Sequence, residues 1–273
     1  MFQIDCIACD LDDTLVDREH DITKKDKEAL QAISKQGIRV ILATGRHYTY
    51  IREYIDVLDI SGFACTSGGG MIYDFSQDKI VTLWELPIDD LKAVISYGLA
   101  TNLPMVLHKG DRMYLTTNNP RLPFIERYNH RQHNPKFEVA FDVVDFSLLP
   151  IEGAYKFSAV NHPGEQNLSQ FDWIIQKGHM NVDSSSDMLI DFTARDASKG
   201  TALKYLSDLL GFDLKRTVVI GDNDNDISMF EVAGIKVAME NGVDELKQKA
   251  DYITIKCGES GVWYALKHFL KVL

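Results

Sequence analysis

The sequence predicts an α/β protein, a mostly parallel sheet in a three-layer core with a smaller α+β unit inserted into it. Three observations carry this reading. Short apolar runs stop abruptly at polar loops, as where Ile4-Asp5-Cys6-Ile7-Ala8-Cys9 gives way to Asp10-Leu11-Asp12-Asp13. A near-continuous apolar run of this kind is the pattern of a strand buried on both faces. Such runs alternate with helical segments, which calls for parallel pairing through crossovers. From about residue 87 the texture changes to hairpins mixed with helices, and the first pattern returns after Lys199.

In chain order, a helix is expected over 23–36, with Thr23 as N-cap and Gly37 as its stop. A buried strand at 38–43 ends in Thr44-Gly45-Arg46, and a helix follows over 47–58. A third strand at 63–66 ends in Ser67-Gly68-Gly69-Gly70, before a hairpin of 71–73 with 80–84. The middle region reads as a helix over 88–100, strands at 105–108 and 113–116, and a partly helical stretch over 118–135. A strand at 155–161, a helix over 165–178 and a hairpin of 181–184 with 188–192 close it. The final third reads as helix 200–210, strand 217–220, helix 227–233, strand 235–238, helix 243–250, strand 252–255 and helix 261–270. The domain division is a discontinuous core of residues 1–83 and 191–273 around an insert of 84–190.

At 273 residues there is room for one large domain or two smaller ones. A hydrophobic content of 45% and a charged content of 25% are those of an ordinary globular chain. The formal net charge of -11 argues against a nucleic-acid backbone or an anionic membrane as main partner. No run approaches the roughly 20 apolar residues of a membrane span, and no basic-then-apolar leader opens the chain. A cytoplasmic protein is expected. Cys6 and Cys9 have C-x-x-C spacing, but on a strand residues three apart face opposite sides, so both read as core thiols.

The chemistry concentrates where strands end or helices begin. In a parallel sheet those ends open on one edge, so segments two hundred residues apart can converge there. Asp10, Asp12, Asp222 and Asp226 would then bring up to four carboxylates together, tolerable only beside a divalent cation and a paired lysine. All-oxygen ligation suits Mg²⁺. Without such convergence the same aspartates serve as turn and N-cap residues. A calcium loop from Asp222 would need Gly at its sixth position and Glu at its twelfth, and Ile227 and Ala233 stand there. Thr44-Gly45 offers a hydroxyl and backbone N–H groups before a helix, a ready anion site, although taken alone the pair reads first as an N-cap and turn. No P-loop, dinucleotide fingerprint or nucleophile elbow is found.

Together and in order, Asp10-Leu11-Asp12-Asp13-Thr14-Leu15, Ala43-Thr44-Gly45-Arg46, Ser198-Lys199-Gly200 and Gly221-Asp222-Asn223-Asp224-Asn225-Asp226 resemble the four motifs of the haloacid dehalogenase superfamily of phosphohydrolases. The chain is most similar to the Cof-type branch, whose larger cap lies between the second and third motifs. The resemblance runs the full length and takes in Ala238-Met239-Glu240-Asn241-Gly242, Ala250-Asp251-Tyr252-Ile253-Thr254 and Glu259-Ser260-Gly261-Val262. It departs at Asp13 and Asp196, where the family commonly has glycine, and at Gly68, where the branch commonly has asparagine.

The resemblance implies a Rossmann-like core, an α+β cap that closes over the site, and a Mg²⁺-dependent phosphatase of small phosphorylated metabolites such as sugar phosphates or phosphorylated cofactors. By it, Asp10 is the nucleophile that forms an aspartyl-phosphate, and Asp12 is the general acid and then base. Asp10, the Asp12 backbone carbonyl and Asp222 would hold Mg²⁺, with Asp226 binding directly or through water. Thr44 and Lys199 would bind phosphoryl oxygens, and Gly45, Arg46 and Asn225 complete the substrate-binding set. His108, Lys109, Arg112 and Arg46 are candidates for selecting the leaving group. A monomer or weak homo-oligomer is expected. Two alternatives are a phosphomutase and a non-catalytic phosphate- or metal-sensing module.

Overall fold

A computed structural model describes residues 3–17, 19, 21–60, 62–161, 167–186 and 188–273. Among them the strands run, in chain order, β1 (Cys6–Cys9), β2 (Arg39–Ala43), β3 (Phe63–Thr66), β4 (Met71–Asp74) and β5 (Lys79–Leu83), then β6 (Met105–Lys109), β7 (Arg112–Leu115), β8 (Phe141–Val143), β9 (Ala154–Val160), β10 (Met180–Ser186) and β11 (Leu189–Ala194), then β12 (Thr217–Gly221), β13 (Ile235–Ala238) and β14 (Tyr252–Ile253). They form one eight-stranded sheet in the order β14-β13-β12-β1-β2-β3-β4-β5 and one six-stranded sheet in the order β10-β11-β9-β6-β7-β8. Two compact units result. The first comprises Met1–Thr44, Glu53–Val81 and Ser198–Leu273, and the second Gly45–Arg52 and Thr82–Ala197.

In the first unit every pairing from β14 through β3 is parallel, and β4 runs antiparallel to β3. All four residues of β1 have no exposed surface, which requires cover on both faces of the sheet. That cover explains the unbroken apolar run and places Cys6 and Cys9 in the core as inert thiols. One group of helices pairs Lys24–Lys35 with Gly261–Tyr264, and another packs Lys199–Leu210 on Ile227–Phe230 and that on Asp244–Lys249. Thr23 caps the first of these by accepting from the Asp26 N–H at 3.2 Å.

The second unit has its own core. Leu107, Phe157, Phe171, Ile190 and Phe192 are fully enclosed there, with Phe192 edge-on to both Phe157 and Phe171 at 5.3 and 4.9 Å. Each such side chain contributes roughly 1.5–3 kcal/mol by burial. Alternation along β9 puts Phe157 and Ala159 on this face and Lys156 and Ser158 on the other.

The structure departs from the sequence reading in several places. The expected limit at residue 190 falls inside β11, whose pairing with β9 and β10 keeps the chain in the second sheet. Gly45–Arg52 also sorts with the second unit rather than the first. The helix expected over 47–58 opens as a 3-10 turn, Tyr48–Ile51, before Arg52–Leu58. Of the helix expected over 165–178, positions 165 and 166 lie outside the described residues. The remainder is a 3-10 turn at Leu168–Phe171 and a single turn at Asp172–Ile175. The strand β8, unread in the sequence, pairs parallel with β7. The last helix is regular only through Gly261–Tyr264 and widens to a π turn over Ala265–Phe269, and that expected over 227–233 stops at Phe230. No helix among the described residues is long and apolar enough to cross a membrane.

Asp90, in the first turn of the helix Ile88–Ala100, ties that helix to Lys177 at 2.8 Å and His179 at 2.7 Å. The Lys177 hydrogen bond, opposed by burial and aided by His179, holds its carboxyl below the ordinary value of 3.8. A depressed carboxylate stabilises above its unfolded pKa and loses that contribution as pH falls through the folded one. Asp90→Asn should therefore cost about 1 kcal/mol at neutral pH. Urea unfolding at pH 7, 5 and 3 should show the difference from wild type shrinking at the lowest pH.

Candidate active site

Parallel register brings the site together. Cys9 lies opposite Leu42 on β2 and Ile220 on β12, so Asp10, Ala43-Thr44 and Gly221-Asp222 leave adjacent strands at one edge. Asp10 is anchored there by its N–H to the Ile220 carbonyl at 2.9 Å, and Thr44 by its N–H to the Cys65 carbonyl at 2.8 Å. After Asp10 the chain makes a tight turn in which the Leu15 and Val16 N–H groups return to the Leu11 carbonyl. Asp13 sits in that turn at φ 55. A left-handed backbone favours glycine and tolerates aspartate, which accounts for the departure at this position.

Lys199 opens the helix Lys199–Leu210, with Ser198 as N-cap, and is 1% exposed. Its ammonium donates to Asp10 Oδ1 at 2.5 Å, Asp226 Oδ1 at 2.7 Å and Asn225 Oδ1 at 3.2 Å. The second oxygen of Asp226 accepts from the Asp222 and Asn223 N–H groups at 2.9 and 3.1 Å. Two glycines make room for this. A side chain at Gly221 would strike the Asp226 carboxylate, and one at Gly69 would strike the Ser198 and Lys199 backbone. Gly68, the other departure, donates its N–H to the Thr44 carbonyl at 3.0 Å, so its backbone supports the neighbouring loop.

Charge is out of balance here. Asp10, Asp222 and Asp226 present carboxylate oxygens within 4.8 Å of one another, and among the described residues Lys199 is the cation hydrogen-bonded to them. Burial pushes the Asp10 carboxyl well above its ordinary range, against the pull of Lys199, and Asp226 and Asp222 raise it further. Asp222 is pushed up to about 7, by burial first and then by the Asp226 charge. Burial disfavours the Lys199 charge, but Asp10 and Asp226 outweigh it and hold its pKa above the ordinary lysine value. Three buried carboxylates against one ammonium, all oxygen donors, form a set that fits a hard divalent cation.

Of the expected site residues, the structure gathers Asp10, Lys199, Asp222, Asn225 and Asp226 into one hydrogen-bonded cluster. Thr44 is buried at the adjacent strand end. Asp12 is exposed and its carboxylate stands outside the cluster, so three rather than four carboxylates converge. The tight turn after Asp10 is the reason, since it carries Asp12 past the strand end toward solvent. Gly45 and Arg46 fall in the second unit. Two contributors were not singled out in the sequence. Thr14 donates its hydroxyl to Asp222 Oδ1 at 2.7 Å across 208 residues, and Ser228 Oγ accepts from the Gly200 N–H at 3.1 Å. Thr14 lay within a motif already noted, whereas nothing local marks Ser228.

The model of the haloacid dehalogenase-like hydrolase family matches residues 7–266. The chain belongs to that family, in its Cof-type branch, and is thus an enzyme of the hydrolase class. Among its relatives is the 5-amino-6-(5-phospho-D-ribitylamino)uracil phosphatase YwtE of Bacillus subtilis, 28% identical over 97% of this chain and 98% of that one. Another is the HMP-PP phosphatase of Yersinia pestis, 26% identical over 96% and 94% of the two chains. A solved haloacid dehalogenase-like hydrolase from Bacteroides thetaiotaomicron superposes with a TM-score of 0.82 at 26% identity, over 97% of this chain and 99% of that one.

Cation binding to the three carboxylates should stabilise the fold. At a hundredfold excess of MgCl₂ over its Kd the gain is about 2.7 kcal/mol. Thermal unfolding with MgCl₂ against EDTA should show it, and Asp222→Asn should lose most of the increment.

Proposed function

We propose that the protein is a Mg²⁺-dependent phosphatase of small phosphorylated metabolites, sugar phosphates or phosphorylated cofactors, acting in the cytoplasm through an aspartyl-phosphate on Asp10. The observation that carries this is the Lys199 ammonium shared between Asp10 at 2.5 Å and Asp226 at 2.7 Å, with Asp222 in the same cluster. A metal-binding structural site has no need of a buried lysine against its carboxylates, whereas a carboxylate nucleophile meeting an anionic phosphoryl group does. The relatives' names, both of phosphatases of small phosphorylated compounds, support the substrate class.

In this reading Lys199 holds Asp10 Oδ1, and the other carboxylate oxygen attacks phosphorus. The phosphorus–oxygen bond to the leaving alcohol breaks, and Asp12 gives that oxygen its proton. Asp12 then takes a proton from the water that attacks the aspartyl-phosphate, which releases inorganic phosphate and restores Asp10. Acid–base help of this kind is worth roughly 10²–10⁴-fold. Thr44 and Lys199 bind the phosphoryl oxygens, with Gly45, Arg46 and Asn225 beside them. Asp10, the Asp12 carbonyl, Asp222 and Asp226 would hold the Mg²⁺, which supplies charge neutralisation to a reaction governed by positioning and electrostatics. Residues 82–197 serve as the cap that selects the leaving group.

A panel of phosphorylated metabolites tests this by phosphate release. Wild type with MgCl₂ should release phosphate from at least one member. EDTA and Asp10→Asn should each abolish release, and Asp12→Asn should lower kcat by at least about 10²-fold. Isomerised substrate without free phosphate would mean a mutase. No release from any member, or full activity in Asp10→Asn, would sink the reading.

A further inference from the structure

The polar face of the second sheet holds a buried ion pair that stability does not explain. Lys156 on β9 and Asp191 on β11 are 4% and 7% exposed and meet at 2.6 Å, and Ser158 donates its hydroxyl to the other Asp191 oxygen at 2.5 Å. His108 is the cross-strand neighbour of Lys156, and the His47 ring stands edge-on to His108 at 5.1 Å. Burial lowers His47 to about 3 and drives His108 well down, with Lys156 adding to both. Both imidazoles are therefore neutral beside the Lys156–Asp191 pair. Burying such a pair is costly, and apolar residues of the same volume often serve stability equally well or better.

What an apolar pair could not do is what Lys156 does next. Its ammonium donates to the Gly45 carbonyl at 3.0 Å. Gly45 directly follows Thr44 and precedes Arg46. Its peptide bond to Arg46 is trans, as are the others among the described residues. In a planar trans peptide the carbonyl and the next N–H point in opposite directions. Drawing the Gly45 carbonyl toward Lys156 therefore turns the Arg46 N–H away from the second sheet. Gly45 needs this help. Its backbone lies outside the left-handed region and a side chain there would meet nothing within 4 Å, so neither space nor conformation demands glycine. What glycine brings is freedom, and a free peptide next to Thr44 needs an external anchor.

We propose that Lys156 is a positioning residue for the reaction, its ammonium holding the Gly45 carbonyl and so setting how the Thr44-Gly45-Arg46 loop presents its phosphate-binding groups. Asp191 and Ser158 keep that ammonium in place. This rests on the phosphatase reading above, in which that loop binds the phosphoryl group.

The decisive variant is the double replacement Lys156→Met with Asp191→Leu, which removes both charges together and keeps the volume. It should fold with unfolding stability equal to or above wild type. Its kcat/KM should nonetheless fall by about 10²-fold, the scale of a small misplacement of a binding group. The inhibition constant of inorganic phosphate should rise about tenfold, while the MgCl₂ concentration giving half activation stays unchanged, since the carboxylates are elsewhere. Lys156→Arg, which keeps the charge and the donors, should recover most of the phosphate affinity. A folded double variant with phosphate inhibition and kcat/KM within about twofold of wild type overturns the proposal. Should the double variant fail to fold, Lys156→Arg and Asp191→Asn decide it. Weaker phosphate inhibition in Asp191→Asn than in Lys156→Arg supports the anchor, and unchanged inhibition in both overturns it. If wild type is active and Asp10→Asn dead, such a result removes only the role of Lys156. If wild type releases no phosphate, the phosphatase reading falls and the role of Lys156 with it.

Discussion

The Lys199 ammonium, shared between Asp10 and Asp226 inside the protein, is the interaction on which the rest of the site depends. It joins the end of β1, the start of the helix Lys199–Leu210 and the loop after β12, the first two of them 189 residues apart. A buried ammonium is expensive unless its protons are matched, and removing one partner of such a pair costs about 3–5 kcal/mol. Here Asp10, Asp226 and Asn225 accept from it. Gly221 and Gly69 lack side chains where any atom would push these groups apart. Strand register, the start of the helix Lys199–Leu210 and glycine placement together bring the partners of this one charge within reach.

The balance is deliberate in its excess. With one cation against three carboxylates among the described residues, burial and mutual repulsion leave Asp10 and Asp222 reluctant to ionise. A site tuned for stability would carry a second basic side chain or one fewer aspartate. The shortfall of positive charge suits a site that a divalent cation completes. Thr14, reaching Asp222 from the turn after β1, fixes one carboxylate without adding charge. The second unit repeats the theme with Lys156 and Asp191, where a buried ion pair sits on the polar face of a sheet whose other face carries the apolar core.

Local pattern made much of this legible. The buried parallel strands announced themselves as unbroken apolar runs because both their faces are covered, and the acidic loops stood out because each follows such a run. The helix at 24–35 carried its cap in Thr23. Legibility failed where tertiary contacts set the outcome. The stretch 168–175 looks helical by composition, yet Phe171 turns into the aromatic core and only short turns form. β8 is three residues long and exists through pairing with β7. The segment 45–52 reads as the continuation of a core strand–helix unit, but His47 and Tyr48 pack against the second sheet and its hairpin turn, with the Tyr48 hydroxyl on the Asp111 carbonyl.

By itself the sequence determined the fold class, the order of the strand ends and the identity of the groups that meet there, because apolar periodicity and motif spacing are written along the chain. Only the tertiary structure decided how those groups divide. It separated the exposed Asp12 from the buried trio of Asp10, Asp222 and Asp226, brought in Thr14 and Ser228, and handed Gly45 to Lys156. Burial, charge compensation and hydrogen-bond direction depend on neighbours distant in sequence, and no local pattern encodes them.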